Sequence, residues 1–331
     1  MIDRDPLKLD AVAETDRIAE AIREQVLRTL RRRGVVLGLS GGVDSTVAAA
    51  LCVRALGSHR VLGVLMPEAD SAPESLTLGQ SAGASLGIRT IVEDVTPILE
   101  SSGCYARRDA AIASVVPSFR QGDRSKIVRA TDLEDDRYPV FHVVVESPDG
   151  QQTRTRLTAD AHLAILAATS FKQRVRKMVE YHYADRHQYA VVGTANRLEH
   201  DQGFFVKNGD GAADLKPIAH LYKTQIYQLA EFLELPEAIR HRPPTTDTFS
   251  LPQSQEEFYF SVPYQVLDLC LWGLNHQVPA AEVASLAGVS PAHAERIYKD
   301  IELKRRTTVY AHAAPLLVPD HSSIATSTHA R

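Results

Sequence analysis

The spacing of apolar positions divides the first part of the chain into alternating helices and short buried strands. Apolar residues at roughly helical intervals predict an N-terminal helix over 9–33. The stretch 34–57 runs from a short apolar strand through a glycine-bearing turn into a helix of small residues. Further strands are predicted at 60–68 and 88–98, with a helix over 76–87 between them. This alternation predicts an α/β fold with a doubly wound, mostly parallel sheet.

The middle of the chain departs from this alternation of helices and strands. Residues 100–135 are polar and charged and show no clear period. Period-two alternation over 138–146 and 153–157, on either side of a Pro-Asp-Gly turn, predicts a β-hairpin. We therefore expect an insertion with a β-hairpin at about 100–160.

The α/β pattern resumes after the insertion and then gives way to a helical C-terminal segment. A long helix is predicted over 161–187, a buried strand over 188–194 and a helix over 221–236. Residues 239–257 are rich in proline and threonine, which predicts a loop. Three further helices are predicted at 264–274, 280–287 and 291–302.

These elements form one α/β domain with an extension at each end. We expect an N-terminal helical segment at 1–33, the main domain over 34–310 and a C-terminal tail over 311–331. Hydrophobic residues make up 44% of the 331 positions, which is enough for the sizeable core that such a domain needs.

Charge and composition exclude several classes of protein. The chain has 37 Lys and Arg against 41 Asp and Glu, so the balance is against broad electrostatic binding to nucleic acid. The sequence lacks the run of roughly 18 apolar residues that a membrane helix needs, and its acidic N-terminus is unlike a signal peptide. Three cysteines without a CxxC pair predict neither a disulfide framework nor a zinc site. We therefore expect a cytoplasmic protein with no nucleic-acid or membrane partner.

The sharpest chemical feature is the segment SGGVDS at 40–45, between a predicted strand and a predicted helix. Glycines let the backbone approach phosphate oxygens, the start of a helix presents unpaired N–H groups, and the two serines add hydroxyl donors. The segment lacks the GK[ST] of a Walker loop and the GxGxxG of dinucleotide folds. It predicts an oxyanion-binding loop of another kind.

This segment resembles the SGGxDS loop of the N-type ATP pyrophosphatases, in which the loop holds the pyrophosphate of ATP. The second half of the chain indicates which family of these enzymes it resembles. The segments 193–225, with GFFVKNGDGAAD, and 239–257, with RPPTTDTFS, resemble the ammonia-dependent NAD synthetases. So do FKQRVRKM at 171–178 and ELKRRT at 302–307. The chain is identified as a member of that family.

The resemblance implies a reaction and its participants. An ATP- and Mg²⁺-dependent amide synthetase is expected, in which the carboxylate of deamido-NAD attacks the α-phosphate of ATP and forms an acyl-adenylate. Ammonia, free or from a separate glutaminase, then displaces AMP to give NAD. The resemblance also implies a homodimer, with the helix at 161–187 as a dimer element.

The resemblance assigns residues to ATP and to metal. The residues expected to bind ATP are Ser40, Gly41, Gly42, Asp44, Ser45, Thr194, Lys223 and Thr245. The expected metal ligands are Asp44 and Glu199. Oxygen ligands suit Mg²⁺, which neutralises the negative charge that develops as pyrophosphate leaves.

It also assigns residues to the acid substrate. The residues expected to take part in catalysis are Asp210, Asp214 and Lys223. The residues expected to contact the acid substrate are Arg174, Phe204, Phe205, Lys207, Asp214 and Lys304. Either phenylalanine is expected to stack on a pyridine ring, and Asp210 or Asp214 to keep the attacking ammonia deprotonated.

Two departures from the family pattern leave an alternative substrate open. The insertion is longer than in the simple enzyme, and Asn208 and Leu303 replace side chains that the family usually carries near its substrate. The alternative is a paralogue that amidates another small carboxylate in a specialised pathway.

Two further alternatives come from other functional classes. A tRNA-thiolating ATP pyrophosphatase is disfavoured because the chain lacks a CxxC pair and a basic excess. A nucleotide-binding regulator is suggested by 280–297, which imitates a helix-turn-helix but lacks clustered basic residues.

Overall fold

The computed structural model describes residues 5–129, 140–246 and 248–318. Its strands are β1 (Gly34–Gly38), β2 (Val61–Leu65), β3 (Arg89–Val92), β4 (Arg124–Arg129), β5 (Phe141–Glu146), β6 (Gln152–Arg156) and β7 (Tyr189–Val191). Its helices are α1 (Ala11–Arg23), α2 (Val43–Leu56), α3 (Pro73–Ser85), α4 (Thr96–Ser101), α5 (Cys104–Ala113), α6 (Ala159–His187), α7 (Arg197–Gln202), α8 (Lys223–Phe232), α9 (Glu237–Arg240), α10 (Tyr264–Asn275), α11 (Ala280–Ala287) and α12 (Pro291–His312).

A parallel four-stranded sheet forms the centre of the molecule, in the order β3-β2-β1-β7. In the register of this sheet, Val35 lies opposite Val61 on one side and opposite Ala190 on the other. Helices α1, α2 and α8 bury Ile22, Leu51 and Ile226 against one face. Helix α6 covers the other face, which confirms the predicted doubly wound α/β fold.

The position of the site follows from the strand order. The chain moves outward from β1 through β2 to β3 and later returns to the opposite side of β1 as β7. The loops that leave β1 and β7 are therefore neighbours at a topological switch point, at the carboxyl ends of the strands. Residues 39–42 and 192–196 meet there, and both contribute to the cavity described below.

The insertion contains more regular structure than the sequence indicated. The predicted hairpin is confirmed as β5 and β6, and β4 pairs with β5 to complete an antiparallel three-stranded sheet. The prediction of an irregular stretch over 100–135 was wrong for α5 and β4, and the predicted strand over 88–98 ends at Val92, before α4 begins. These elements are short and largely polar, and α5 and β4 bury only a few side chains each, among them Ile112 and Ile127, in a cluster shared with α6. Residues 130–135 of that stretch, and residues 138–139 at the start of the predicted hairpin, lie outside the described residues.

The two ends of the chain also differ in extent from the prediction. The α-helical part of the predicted helix over 9–33 is α1, which a π-helical turn at Glu24–Thr29 extends. Gly34 begins β1, as it begins the predicted strand, and a Cβ atom there would lie 2.3 Å from the Arg60 carbonyl oxygen. The last helix, α12, continues ten residues beyond the predicted end at 302.

The C-terminal helices form a second core of their own. Helices α10, α11 and α12 pack together around Leu271, Val283 and Ile297, and Leu198 and Tyr222 from the α/β domain complete this cluster. Among the described residues, every helix is too short or too polar to cross a bilayer.

Candidate active site

The SGGVDS segment forms a tight loop between β1 and α2. The Ser40 hydroxyl lies 3.2 Å from the Ser45 hydroxyl and accepts a hydrogen bond from the Gly42 N–H at 3.3 Å. The Ser45 and Thr46 hydroxyls both donate to the Gly42 carbonyl oxygen. These bonds fold the loop over the start of a 14-residue helix, whose dipole favours anions at this end.

Gly41 is required in this loop for two reasons. Its φ of +72° lies in the left-handed region, which side chains other than hydrogen disfavour. A Cβ atom would also lie 2.7 Å from Leu78 Cβ and 2.8 Å from the Ser75 carbonyl oxygen. The first glycine of the segment is therefore fixed by backbone conformation and by the close approach of α3.

Asp44 is held by two residues that come from distant parts of the sequence. Lys223 forms an ion pair with its carboxylate, and the Asn196 side-chain amide donates to the other carboxylate oxygen at 3.0 Å. Asn196 comes from the loop after β7, whereas Lys223 is the first residue of α8. The switch point thus brings the phosphate loop, the Asn196 loop and α8 together.

Glu199 lies beside this ion pair in a second network. Asn196 and Glu199 form a reciprocal capping box at the start of α7, and the Gln255 side-chain amide donates to Glu199 at 2.9 Å. Burial and the nearby Asp44 carboxylate raise the pKa of Glu199 to about 7. A buried carboxylate next to another carboxylate is a site that favours a cation.

Asp268 fixes the main chain of Lys223. Its buried carboxylate accepts hydrogen bonds from the Lys223 N–H at 3.2 Å and the Thr224 N–H at 2.7 Å, so that α10 caps the start of α8. Burial would lower the pKa of the Lys223 ammonium, but the Asp44 and Glu199 carboxylates raise it above its usual value. Lys223 is therefore a permanent cation in a fixed position.

The threonine loop, which comprises residues 242–246 and 248–255, covers the same site. Arg242 donates to the Ser40 carbonyl oxygen at 3.1 Å and to the Ser75 hydroxyl at 2.7 Å, which places a second cation beside the phosphate loop. Thr245 follows and lines the cavity. Further along the loop, buried Lys172 donates to the Thr248 carbonyl oxygen at 2.7 Å while paired with Glu68 and Asp70.

One cavity of about 530 Å³ connects these groups with a second region. The phosphate loop, Thr194, Glu199 and Lys223 line one part of it. The other part is lined by Gln173, Lys177, Glu180, Phe204, Phe205 and Asp210. The cavity therefore brings the phosphate loop into the same space as two aromatic rings and the Asp210 carboxylate.

Asp210 has the environment of a proton acceptor. Burial raises its pKa, although the Val206 N–H donates to its carboxylate at 2.8 Å and the Lys177 ammonium lies nearby. Burial also raises the pKa of Glu180, whose carboxylate accepts a hydrogen bond from Lys177 at 2.7 Å. A carboxylate with a raised pKa is a stronger base than one in water, as proton transfer requires.

Comparison with known proteins identifies the family of this arrangement. The sequence model described as NAD synthase matches residues 14–115 and 108–308. The chain belongs to the NAD synthase family. It is 56% identical over 311 residues to the NH(3)-dependent NAD(+) synthetase of Mesorhizobium japonicum, covering 94% of this chain and 98% of that one.

Solved structures support the fold of this NAD synthase family member. The NMN synthetase from Francisella tularensis superimposes with a TM-score of 0.64 at 22% identity, over 94% of this chain and 99% of that one. The NH3-dependent NAD synthetase from Campylobacter jejuni superimposes with a TM-score of 0.60 at 21% identity, over 94% of this chain and 100% of that one. At these identities the likeness shows a shared fold.

Four residues assigned to catalysis or to the acid substrate by family resemblance lie outside the cavity lining. The Asp214 carboxylate accepts a hydrogen bond from the Val191 N–H at 2.7 Å, at the end of β7. Lys207 donates to the carbonyl oxygens of Tyr310 and Ala313, and Arg174 donates to the Lys207 carbonyl oxygen. Lys304 is buried and pairs with Asp300 at 2.7 Å. Within this single chain, these four side chains serve local contacts, and their substrate roles stay predictions.

The two phenylalanines of the NAD synthase motif have different surroundings. Phe204 stacks on Tyr259 and packs against Phe260 in the C-terminal core, and it also contacts Phe258 and lines the cavity. Phe205 contacts the ring of His312 edge-on, and the Lys216 ammonium lies 5.2 Å from its ring centre. Phe205 belongs less to the core, so it is the better candidate to contact a ligand ring.

The carboxylates near the phosphate loop suit a magnesium ion only if the substrate supplies further ligands. Among the described residues, no cluster of three or more His, Cys, Asp or Glu side chains is arranged to bind a metal. Burial and the nearby Asp44 carboxylate raise the pKa of Glu199, so a cation between the two carboxylates would favour the ionised form of Glu199. Mg²⁺ commonly binds through one or two carboxylates and substrate phosphates, so the pair fits this ion.

Several residues of the site escaped the sequence analysis. Asn196, Arg242, Gln255 and Asp268 each contact an assigned residue, yet none belongs to the assigned set. The spacing of Asn196 and Glu199 is that of a capping box, a signal that was available in the sequence. Asp268 gave no signal, because its partners lie 44 and 45 residues away.

Proposed function

We propose that this protein is an ammonia-dependent NAD synthetase that converts deamido-NAD, ATP and ammonia into NAD, AMP and pyrophosphate. The observation that carries the proposal is the single cavity that joins the phosphate loop to Asp210 and Phe205. Because both groups of residues line one cavity, a carboxylate substrate bound near Asp210 could contact the α-phosphate of ATP directly. The 56% identity to a relative with that name, over nearly all of both chains, supports the same reaction here.

The first step needs ATP held with its α-phosphate exposed to the carboxylate. The loop at 40–45, Lys223 and Arg242 surround the position for the β- and γ-phosphates with N–H, hydroxyl and cationic donors. Thr194 and Thr245 add hydroxyls from the β7 loop and the threonine loop. Fixed donors stabilise the charge that grows on pyrophosphate as it leaves, and they cost no reorganisation during the reaction.

Asp44 and Glu199 would hold Mg²⁺ together with the phosphates. When bound, the ion neutralises phosphate charge and polarises the phosphoryl oxygens. Asn196 and Gln255 orient Glu199 by hydrogen bonds, as partners of metal ligands commonly do. Lys223 pairs with Asp44 and keeps part of the negative charge compensated.

The second step converts the acyl-adenylate into the amide. Ammonia attacks the acyl carbon, the bond to the AMP oxygen breaks, and the proton on nitrogen must be accepted. Asp210 is the proposed acceptor because it lines the cavity and burial raises its pKa. Phe205 is proposed to contact the pyridine ring, whereas Phe204 stacks on Tyr259 in the C-terminal core.

We also propose that the protein forms a homodimer through α6. This helix exposes Leu163 and Met178, which are 65% and 55% accessible, on a surface that a second copy would cover. Arg174 and Lys207 lie near this surface rather than in the cavity lining, so a partner subunit would be needed for them to meet substrate. The source of ammonia and a cytoplasmic location stay predictions from the sequence.

A substrate comparison tests the proposed function. The purified chain is incubated with ATP, Mg²⁺ and ammonium, and AMP and NAD are measured with deamido-NAD, with its mononucleotide half, or with no acid. We expect AMP only when an acid is present, and the highest rate with deamido-NAD. Preference for the mononucleotide, or AMP release without any acid, would contradict the assignment of substrate.

A further inference from the structure

Strand β4 of the insertion runs beside the outer end of the threonine loop and is hydrogen-bonded to it. The Ser125 N–H donates to the Ser250 hydroxyl at 2.8 Å, and the Leu251 N–H donates to the Ser125 carbonyl oxygen at 3.2 Å. The Gln253 side-chain amide donates to the Ile127 carbonyl oxygen. The inserted sheet therefore contacts a loop that begins at residue 242, 113 residues after β4 ends.

Gln253 also fixes the inner end of the same loop. Its carbonyl oxygen accepts a hydrogen bond from the Thr246 N–H at 3.1 Å, and the Gln255 N–H donates to the Pro244 carbonyl oxygen at 3.3 Å. Thr245 and Ser254 form an antiparallel bridge between these two bonds. Residues 253–255 thus pair with 244–246 as a short ladder, and this ladder sets the position of Thr245 over the cavity.

The ladder leads directly to the second carboxylate of the site. Gln255, two residues after Gln253, donates from its side chain to Glu199 at 2.9 Å. A short path of hydrogen bonds therefore runs from β4 through Gln253 to Thr245 on one side and through Gln255 to Glu199 on the other. Gln253 is the residue where both branches meet.

We propose that Gln253 is a positioning residue through which the inserted sheet fixes Thr245 and Glu199 around ATP. The side chain of Gln253 is 4% exposed and does not line the cavity, so its effect must pass through the loop. A buried amide bonded to a backbone carbonyl defines one geometry, because losing the bond leaves a buried polar group unsatisfied. The inference rests on the proposed function for the identity of the reaction.

A role for Gln253 in positioning the threonine loop should affect the binding of one substrate more than the other. Thr245 and Glu199 both face the part of the cavity that contains the phosphate loop, whereas Asp210 and Phe205 face the other part. Loosening the threonine loop should therefore weaken binding of ATP more than binding of deamido-NAD. A protein that was only less stable would not show this difference.

Three variants test the inference. Gln253→Met keeps the length of the side chain and removes its donor, and Ser250→Ala removes a second bond to β4 at a point further from the ladder. Arg124→Gln is the matched control, because it breaks the ion pair between Arg124 and Glu146 inside the same sheet and leaves the loop contacts intact. For each variant, the Kd of ATP with Mg²⁺ is measured by calorimetry, KM by NAD formation, and stability by thermal unfolding.

We expect Gln253→Met to raise the Kd and KM for ATP about tenfold and Ser250→Ala about threefold, in line with the loss of one buried hydrogen bond. The KM for deamido-NAD should change less than twofold, and Arg124→Gln should match the wild type. Unchanged ATP binding in both loop variants, or equal weakening in Arg124→Gln, would overturn the inference. If Gln253→Met does not fold, Ser250→Ala decides between the two outcomes.

Calorimetric measurement of ATP binding distinguishes failure of this inference from failure of the proposed function. A wild-type chain that binds ATP but makes no NAD would contradict the proposed reaction, while the comparison of ATP affinities would still test Gln253. A wild-type chain that makes NAD, with ATP affinities equal in all variants, would contradict the role of Gln253 alone.

Discussion

Lys223 and Asp44 form an ion pair between two segments that are 179 residues apart in the sequence. Asp44 belongs to the first turn of α2, and Lys223 begins α8, so the pair joins the phosphate loop to the second half of the domain. Asn196 and Asp268 hold its two ends, the first through the Asp44 side chain and the second through the Lys223 main chain. The pair is therefore held at both ends by other side chains of the protein.

Replacement of Lys223 should abolish most of the activity. Lys223→Met removes the cation that is proposed to face the phosphates, and we expect a loss of at least about 100-fold in kcat, as for the removal of one fixed donor in other enzymes. It also leaves the Asp44 carboxylate without its ion-pair partner, and a buried charge without its partner costs about 3–5 kcal/mol of stability.

Kinetics and thermal unfolding of Lys223→Met measure both effects. Arg54→Met is the control, since it removes an exposed ion pair with Asp16 and should leave kcat unchanged. A folded Lys223→Met protein with near-normal turnover would contradict the assigned role.

Substitution of Asp210 should lower the rate of amide formation much more than substitution of Asp214. Asp210→Asn can still accept the Val206 N–H bond but cannot accept a proton, so we expect amide formation to fall about 100-fold. Asp214→Asn alters a bond at the end of β7 outside the cavity lining and should cost much less. The rate of NAD formation at saturating ammonium measures the difference.

The pH profile provides a second readout for the same pair. Free ammonia increases with pH, so the Asp210→Asn rate should partly recover in alkaline buffer. Equal losses in the two variants would favour the catalytic role that family resemblance gives to Asp214.

Glu199 should control the requirement for magnesium. Glu199→Gln removes one proposed ligand, and we expect the Mg²⁺ concentration for half-maximal AMP release to rise by roughly 10-fold or more. Gln255→Ala removes a partner of that ligand and should shift the requirement by up to about 10-fold. Titration of Mg²⁺ at fixed ATP gives both values, and an unchanged midpoint in Glu199→Gln would exclude Glu199 as a ligand.

Asp268 should make stability depend on pH. Burial raises the pKa of Asp268 to about 6, above the value of 3.8 expected for the unfolded chain. The folded state therefore binds this proton more tightly, and the contribution is fully present below about pH 4 and lost as pH rises through about 6. Asp268→Asn does not titrate, so its Tm relative to the wild type should rise between pH 4 and pH 7. A difference in Tm that is constant over this range would contradict the raised pKa.

The phosphate half of the site could be predicted because its signals are local. The SGGVDS loop places five assigned residues within six positions, and the strand and helix around it follow from apolar spacing. Glu199 and Lys223 line the same cavity, and they were assigned because they lie at fixed positions within the segment 193–225 that resembles the family. The observed loop geometry agrees with the oxyanion site that these residue types predict.

The supporting contacts could not be predicted because they join distant segments. Asp268 and Lys223 meet only after α10 packs on α8, and Ser125 meets Ser250 across 125 residues. β4 was missed because a six-residue strand with two charged ends resembles a polar loop until its partner is known. The surroundings of Lys304 were equally hidden, because its pairing with Asp300 depends on how α12 packs.

The most direct test of the proposed reaction follows one oxygen atom. Deamido-NAD labelled with ¹⁸O in its carboxylate is incubated with ATP, Mg²⁺ and ammonium, and AMP and NAD are examined by mass spectrometry. If the carboxylate attacks the α-phosphate and ammonia then displaces AMP, each AMP carries one ¹⁸O and forms in a one-to-one ratio with NAD. Unlabelled AMP, or AMP formed without NAD, would contradict adenylation of deamido-NAD by this protein.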